Sequence, residues 1–379
     1  MSTILIKNGT LIDGSGSKRY LADILIENEK IKKIGKLDLT ADKVIDASGK
    51  IVSPGFIDTH SHSDLKVLIE PFVEPKIRQG ITTEILGQDG ISMAPLPEEY
   101  VSSWRKNLAG LDGDSDELKW DWKNTDGYLN LISKTGSGPN ELYLVPHGNI
   151  RMEAMGLEAR VATKEELEKM KEITRREMEA GVAGLSTGLI YIPCAYAETE
   201  ELIEICKVAA EYGRPLVIHQ RSEADTMLES MQEVIRIAKE SGVKIHFSHF
   251  KICGQKNWKL IEPVIALLDK CKEEGINVSY DQYPYVAGST MLGVILPPWA
   301  HAGGTDKLIE RLKDKSLREK MKEDIIKGIP GWDNFIDFAG FDGIYVTSVK
   351  TDKNQDCIGK NLTEIAEMRG KEKFDAVFD

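Results

Sequence analysis

From Ile51 onward, short apolar strand-like runs recur with stretches of helical spacing between them, and this recurrence restricts the fold more than any other feature of the chain. Strands are expected near 51–58, 82–88, 141–147, 181–186, 215–219, 244–249 and 277–283. Helices are expected at Lys164–Glu179, Glu200–Tyr212, Ala224–Ser241 and Glu262–Glu274, all rich in Glu, Lys, Leu and Ile. A helix between two apolar strands carries the chain back to the same end of a sheet, so the strands run parallel. Seven such strands suggest an α/β fold of the (β/α)8, TIM-like barrel type. At 379 residues the chain has room for one barrel of roughly 250 residues, insertions and a small extra domain.

Residues 1–50 have a different pattern. Short β segments at Ile4–Lys7, Asp23–Glu27, Ile31–Ile34 and Lys43–Asp46 are punctuated by Asn8-Gly9, Asn28-Glu29-Lys30 and Gly49, which predicts a small antiparallel, sandwich-like β unit. The expected division is therefore 1–50 for this unit and 51–379 for the barrel. Two stretches are too long for ordinary connections and are expected to be insertions over the site: 91–140, with Trp104, Trp120 and Trp122, and 287–342, with Pro297-Pro298-Trp299.

Charge narrows the partners. With 49 Lys+Arg against 61 Asp+Glu the net charge is −12, so the long-range field repels nucleic acid and anionic membrane. No apolar run approaches the roughly 20 residues of a spanning helix, and no basic-then-apolar leader precedes the first strand-like segment. Five widely spaced cysteines, Cys194, Cys206, Cys253, Cys271 and Cys357, form no C-x-x-C pair and read as reduced thiols. A cytoplasmic protein with neither nucleic-acid nor membrane partner, and a homo-oligomer as one open option, is expected.

The chemistry-bearing residues fall at strand ends. In a strand, residues two apart share a face, so His60 and His62, closing the apolar run Pro54-Gly55-Phe56-Ile57-Asp58-Thr59, can approach one ion together. Alone, this pair is equally compatible with two ordinary structural histidines. His219 closes Leu216-Val217-Ile218 and His249 closes Ile245-His246-Phe247-Ser248, however, and the C-terminal ends of barrel strands form the active-site face. Neutral imidazoles suit zinc and similar divalent ions, and a carboxylate can complete such a site while leaving a position for water. His246, of opposite parity to His249, reads as a hydrogen-bonded structural residue, and His301 as insertion surface.

Seven segments in chain order resemble the D-aminoacylase (N-acyl-D-amino-acid deacylase) branch of the amidohydrolase superfamily. They are Pro54–His62, Gly87-Gln88-Asp89-Gly90-Ile91-Ser92, Val145–Arg151, Gly184–Pro193, Ile218–Glu223, Ser248–Lys251 and Asp281–Tyr285. The resemblance implies a metal-dependent hydrolase that cleaves the linear amide of N-acyl-D-amino acids to a carboxylate and a D-amino acid. It places the metal ligands on His60, His62, His219 and His249, and puts the family's usual thiolate ligand on Asp89. Zinc, as one or two ions, is the implied cofactor; because a carboxylate is a harder donor than a thiolate, other divalent metals suit this chain as well. Tyr191 is the implied oxyanion donor, with an ordinary packed tyrosine as the alternative. Lys251, Tyr283 and Ser289 resemble the positions that hold the substrate's carboxylate, and Arg221 and His147 are candidate supporting or substrate-binding groups. The fourth strand lacks the lysine of the hydantoinase and dihydroorotase relatives, which favours the deacylase branch.

By the same resemblance, the proton-transferring aspartate belongs at the end of an eighth strand that follows a helix starting here near Asn361. Were Gly343–Val349 that strand, Asp352 would inherit the role; the preferred expectation is that the eighth strand is not in this chain and that a complementary C-terminal segment or chain supplies it. The competing readings are a non-catalytic metal-binding or scaffolding relative, and a hydrolase of a cyclic amide or a D-residue dipeptide.

Overall fold

The computed structural model describes residues 2–379. The first sheet comprises β1 (Thr3–Leu11), β2 (Tyr20–Glu27), β3 (Lys30–Gly35), β4 (Lys43–Asp46) and β5 (Ile51–Val52), in the order β3-β2-β1-β4 with β5 also on β1. β2 runs antiparallel to β1 and to β3, but β4 and β5 run parallel to β1, so the sheet is mixed rather than antiparallel as expected. The reason is the connection after Gly35: it crosses to the far side of β1 instead of turning back beside β3, and a crossover restores the strand direction.

The second sheet has seven strands, β6 (Phe56–Asp58), β7 (Ile81–Leu86), β8 (Asn140–Pro146), β9 (Gly184–Gly188), β10 (Leu216–His219), β11 (Ile245–Phe247) and β12 (Val278–Tyr280). They lie in sequence order and every pairing is parallel. The expected single strand 51–58 is in fact two. Pro54 supplies no N–H, and a Cβ on Gly55 would lie 1.9 Å from Thr82 Oγ1, so the chain breaks there, leaving Ile51–Val52 on the first sheet and Phe56–Asp58 on the second.

The expected helices appear at Lys164–Glu179, Thr199–Glu211, Met227–Ser241 and Ile261–Glu273. The first matches its expected bounds because its start is written in local chemistry: Thr163 Oγ1 accepts from Glu166 N while Glu166 accepts from Thr163 N, a reciprocal cap. The stretch 91–140 is less foreign than its length suggests. Its second half folds into the helix Thr125–Thr135, the ordinary crossover between β7 and β8; its first half carries the helix Val101–Leu108 with Trp104 fully buried. Residues 287–342 form a second cluster of helices with its own small core, including Ile295, Leu308, Met321 and Ile325.

Among the described residues, no eighth strand joins the barrel sheet. Gly343–Val349 makes a single bridge, Tyr345 to Asn361, and Asp352 lies exposed in a short 3-10 turn. β6 and β12 are therefore the margins of a curled seven-stranded sheet, with Phe56, Ile57 and Tyr280 exposed at 62%, 60% and 55%. The margins nevertheless meet at the C-terminal mouth, where Thr59 Oγ1, just past β6, donates to Asp281 Oδ2, just past β12, at 3.3 Å. No helix among the described residues is long and apolar enough to cross a membrane.

Candidate metal centre

The mouth is lined by residues that follow the strands. His60 and His62 come after β6, Asp89 sits in the turn after β7, His219 ends β10, and His249 lies two residues beyond β11. The turn Gly87-Gln88-Asp89-Gly90 is wedged between neighbouring strands. Gly87 has φ +78°, and a Cβ there would lie 2.1 Å from the Leu144 carbonyl oxygen; a Cβ on Gly90 would lie 2.7 Å from Thr187 Cα. Between them Asp89 takes φ +56°, and His249 takes φ +36°. Left-handed backbone at non-glycine residues is strained and persists where surrounding structure holds it. Asp64 supplies part of that hold: its buried Oδ1 accepts from Gly87 N at 2.8 Å and from Ser92 Oγ.

These backbones bring five side chains together. His60 Nε2 and His62 Nε2 lie 3.5 and 3.3 Å from Asp89 Oδ2, and His249 Nε2 lies 3.5 Å from the other oxygen, Oδ1. His219 Nδ1 is 2.9 Å from His249 Nε2. The donors form two groups that share one carboxylate, His60–His62–Asp89 and Asp89–His219–His249, each with ligand atoms mutually within 4.8 Å. Asp89 Oδ1 and His219 Nε2 are buried without a hydrogen-bond partner. Unsatisfied buried polar atoms are costly, so a donor set of this kind fits a cationic occupant. Burial favours neutral Asp89, yet the charge and hydrogen bonds of His60, His249 and His62 outweigh it and hold the carboxyl well below its usual range. Burial pushes His219 down to about 3, leaving a neutral imidazole with a free lone pair.

Around the donors stand carboxylates that sequence reasoning missed. Asp112 Oδ1 lies 3.0 Å from His62 Nδ1, and Glu223 Oε1 lies 3.0 Å from His249 Nδ1. Asp281 accepts from the His249 backbone N–H and pairs with His246 Nε2 at 2.9 Å. His246 is also hydrogen-bonded to Ser279 through Nδ1, and its ring does not join the donor groups. Glu223 stands four residues after His219, a spacing that could have flagged it; Asp112 is 50 residues from its partner in an Asp-Gly-Asp stretch that reads as a turn.

Of the other expected site residues, Tyr191 is buried with its ring centroid 5.5 Å from that of His219 and its hydroxyl 2.9 Å from Thr290 Oγ1. Burial, reinforced by Asp89, raises its phenol well above the ordinary value, so it stays a hydrogen-bond donor. Lys251 Nζ donates to Glu223 Oε2 at 2.6 Å and lies 5.5 Å from the Tyr283 ring centroid. Ser289 is exposed beside Thr290. Arg221 and His147 are held away from the donors: Arg221 is bound to Glu233 and the carbonyl of Ala197, and fully buried His147 bonds through both ring nitrogens, to Thr187 and Glu201. In this arrangement neither nitrogen of His147 is free for a substrate. His301, expected on the insertion surface, instead lines a small cavity of mixed polarity with Ile91, Asn107, Tyr191 and Met291, because its Nε2–H donates to the Gly293 carbonyl at 3.0 Å and draws the ring inward.

A model of the amidohydrolase family matches residues 43–269. D-aminoacylase of Alcaligenes xylosoxydans xylosoxydans is 36% identical over 290 residues, covering 76% of this chain and 58% of that protein. N-acyl-D-glutamate deacylase of the same organism shows the same identity and coverage. Among solved structures, N-acyl-D-glutamate deacylase from Bordetella bronchiseptica, complexed with zinc and a phosphonate mimic of the tetrahedral intermediate, matches with a TM-score of 0.80 and 31% identity over 99% of this chain and 69% of that one. The chain spans less than two thirds of the length of these two curated relatives.

Proposed function

This chain belongs to the amidohydrolase family, on its D-aminoacylase branch, and from that premise we propose that it carries the metal centre of an enzyme hydrolysing N-acyl-D-amino acids to a carboxylate and a D-amino acid. The observation that carries this reading is the pair of donor groups sharing Asp89, with buried lone pairs left unpartnered. His60, His62 and Asp89 would hold one divalent ion of the zinc type, and Asp89, His219 and His249 a second. Such an ion supplies, when bound, polarisation of the amide carbonyl and a water of lowered pKa.

The chain's own residues do the rest. Tyr191, protonated at neutral pH, donates to the oxygen on which negative charge develops. Lys251, steered by Glu223, acts with Tyr283 and Ser289 on the substrate's carboxylate. Arg221 and His147 act indirectly, Arg221 by tying the segment after β10 to that after β9, and His147 by tying the segment after β8 to β9 itself. The exposed margins β6 and β12 suit an eighth strand bearing the proton-transferring aspartate, supplied by a segment beyond the seven described strands.

Metal analysis combined with hydrolysis of N-acetyl-D- and N-acetyl-L-amino acids, with and without a supplied eighth-strand segment, tests the proposal. Stoichiometric metal with D-selective turnover is expected. Metal without turnover even after complementation would overturn it in favour of a scaffolding relative. H219A and H249A should each lose bound metal, and unchanged metal content in both would refute the ligand set.

A further inference from the structure

Besides Asp89, the long segment between β7 and β8 brings one more side chain against the donors. Its helix Val101–Leu108 ends in a tight turn in which both Leu111 N–H and Asp112 N–H donate to the Leu108 carbonyl at 2.9 Å. That turn is braced on both sides. Trp104, fully buried, donates from Nε1 to the Ser92 carbonyl at 2.7 Å, and Arg105 Nε donates to Asp114 Oδ1 at 2.7 Å. Lys350 Nζ reaches the other oxygen of Asp114 at 3.0 Å. The bracing delivers the Asp112 carboxyl, with its side chain wholly out of solvent, to His62 Nδ1 at 3.0 Å, while its second oxygen, Oδ2, is buried without a partner.

His62 Nδ1 pairs with Asp112 Oδ1, which turns Nε2, the nitrogen that would ligate an ion, toward the cluster at 3.3 Å from Asp89 Oδ2. A carboxylate on the far nitrogen fixes the tautomer, locks the ring plane and makes the ligating nitrogen more basic. His60 has no such support, because its Nδ1 is buried and unpartnered. Of the two imidazoles on the His60–His62–Asp89 side, only that of His62 thus has a carboxylate on its far nitrogen, and it comes from a segment that otherwise packs as scaffold.

We propose that Asp112 is a positioning residue that sets the affinity of the His60–His62–Asp89 side for its ion, and thereby couples the segment 91–124 to metal loading. This rests on the ligand reading given above. Zinc titration of the protein against a chromophoric chelator, with D112N and D112A beside it, tests the inference without any assay of turnover. One zinc equivalent should weaken about 10–100-fold in both variants; the other should stay at its original affinity, and the thermal midpoint of metal-free D112N should stay near that of the unaltered protein. Wild-type affinity for both equivalents in D112N, or equal weakening of both, would overturn the proposal even if D112A failed to fold. If the unaltered protein bound no zinc, the ligand reading itself would fall, an outcome separable from the other two.

Discussion

Every residue of β9 and β10 is buried, whereas β6 and β12, members of the same sheet, present Phe56, Ile57 and Tyr280 to solvent. The centre is covered by the helices Lys164–Glu179, Thr199–Glu211 and Met227–Ser241 and by side chains filling the curled interior; the margins lack a neighbour on one side. The donors draw on both kinds of structure. His219 projects from the packed centre, His60 and His62 follow a margin, and Asp89 and His249 follow the strands beside the two margins. Placement of a ligand therefore depends on packing in the first case and on the mouth-spanning Thr59–Asp281 bond and outer carboxylates in the second.

The largest effect is expected at Gly87, in the turn that carries Asp89. Gly87→Val forces a branched side chain into left-handed backbone against the Leu144 carbonyl, and neither side can yield cheaply. No folded protein should be recovered, as judged by loss of a cooperative thermal transition; a stable variant would show that the turn carrying Asp89 is looser than its burial implies. Leu185→Ala, within β9, removes a fully buried side chain and should cost about 2–5 kcal/mol in urea unfolding. Ile57→Ser on β6 is the counterpart, and the stability of the protein should change by less than about 0.5 kcal/mol. Repeating Ile57→Ser in the presence of an eighth-strand segment sharpens the contrast: if that strand covers β6, the same substitution should become clearly destabilising.

The difference between centre and margin also explains what the sequence discloses. Lys164–Glu179 is legible to its ends because Thr163 and Glu166 cap it locally, and β10 because Leu216-Val217-Ile218 is a continuous apolar run closed by His219. Four histidines at strand ends point to the mouth before any contact is known. Asp112 is illegible because its role arises only when a turn 50 residues away is pressed onto His62, and nothing local distinguishes that aspartate from Asp114, which pairs with Arg105. The parallel course of β4 and β5 is hidden for a similar reason. Strand-like patterning records which side chains are apolar, but direction depends on where the connection crosses.

The His60 and His249 rings stand 4.7 Å apart although one follows the first strand of the sheet and the other the sixth. Each hydrogen-bonded ladder in the sheet joins strands adjacent in sequence, so the array can grow step by step without bringing its ends together. The two rings approach only once the array has curled. An ion held between the two donor groups would act as a clasp, binding the curled form and not the splayed one, and would stabilise it in proportion to RT ln(1 + [ion]/Kd). The melting temperature would then rise with free zinc well after the first equivalent, and the apparent affinity would report how much of the work of curling the polypeptide has already done by itself.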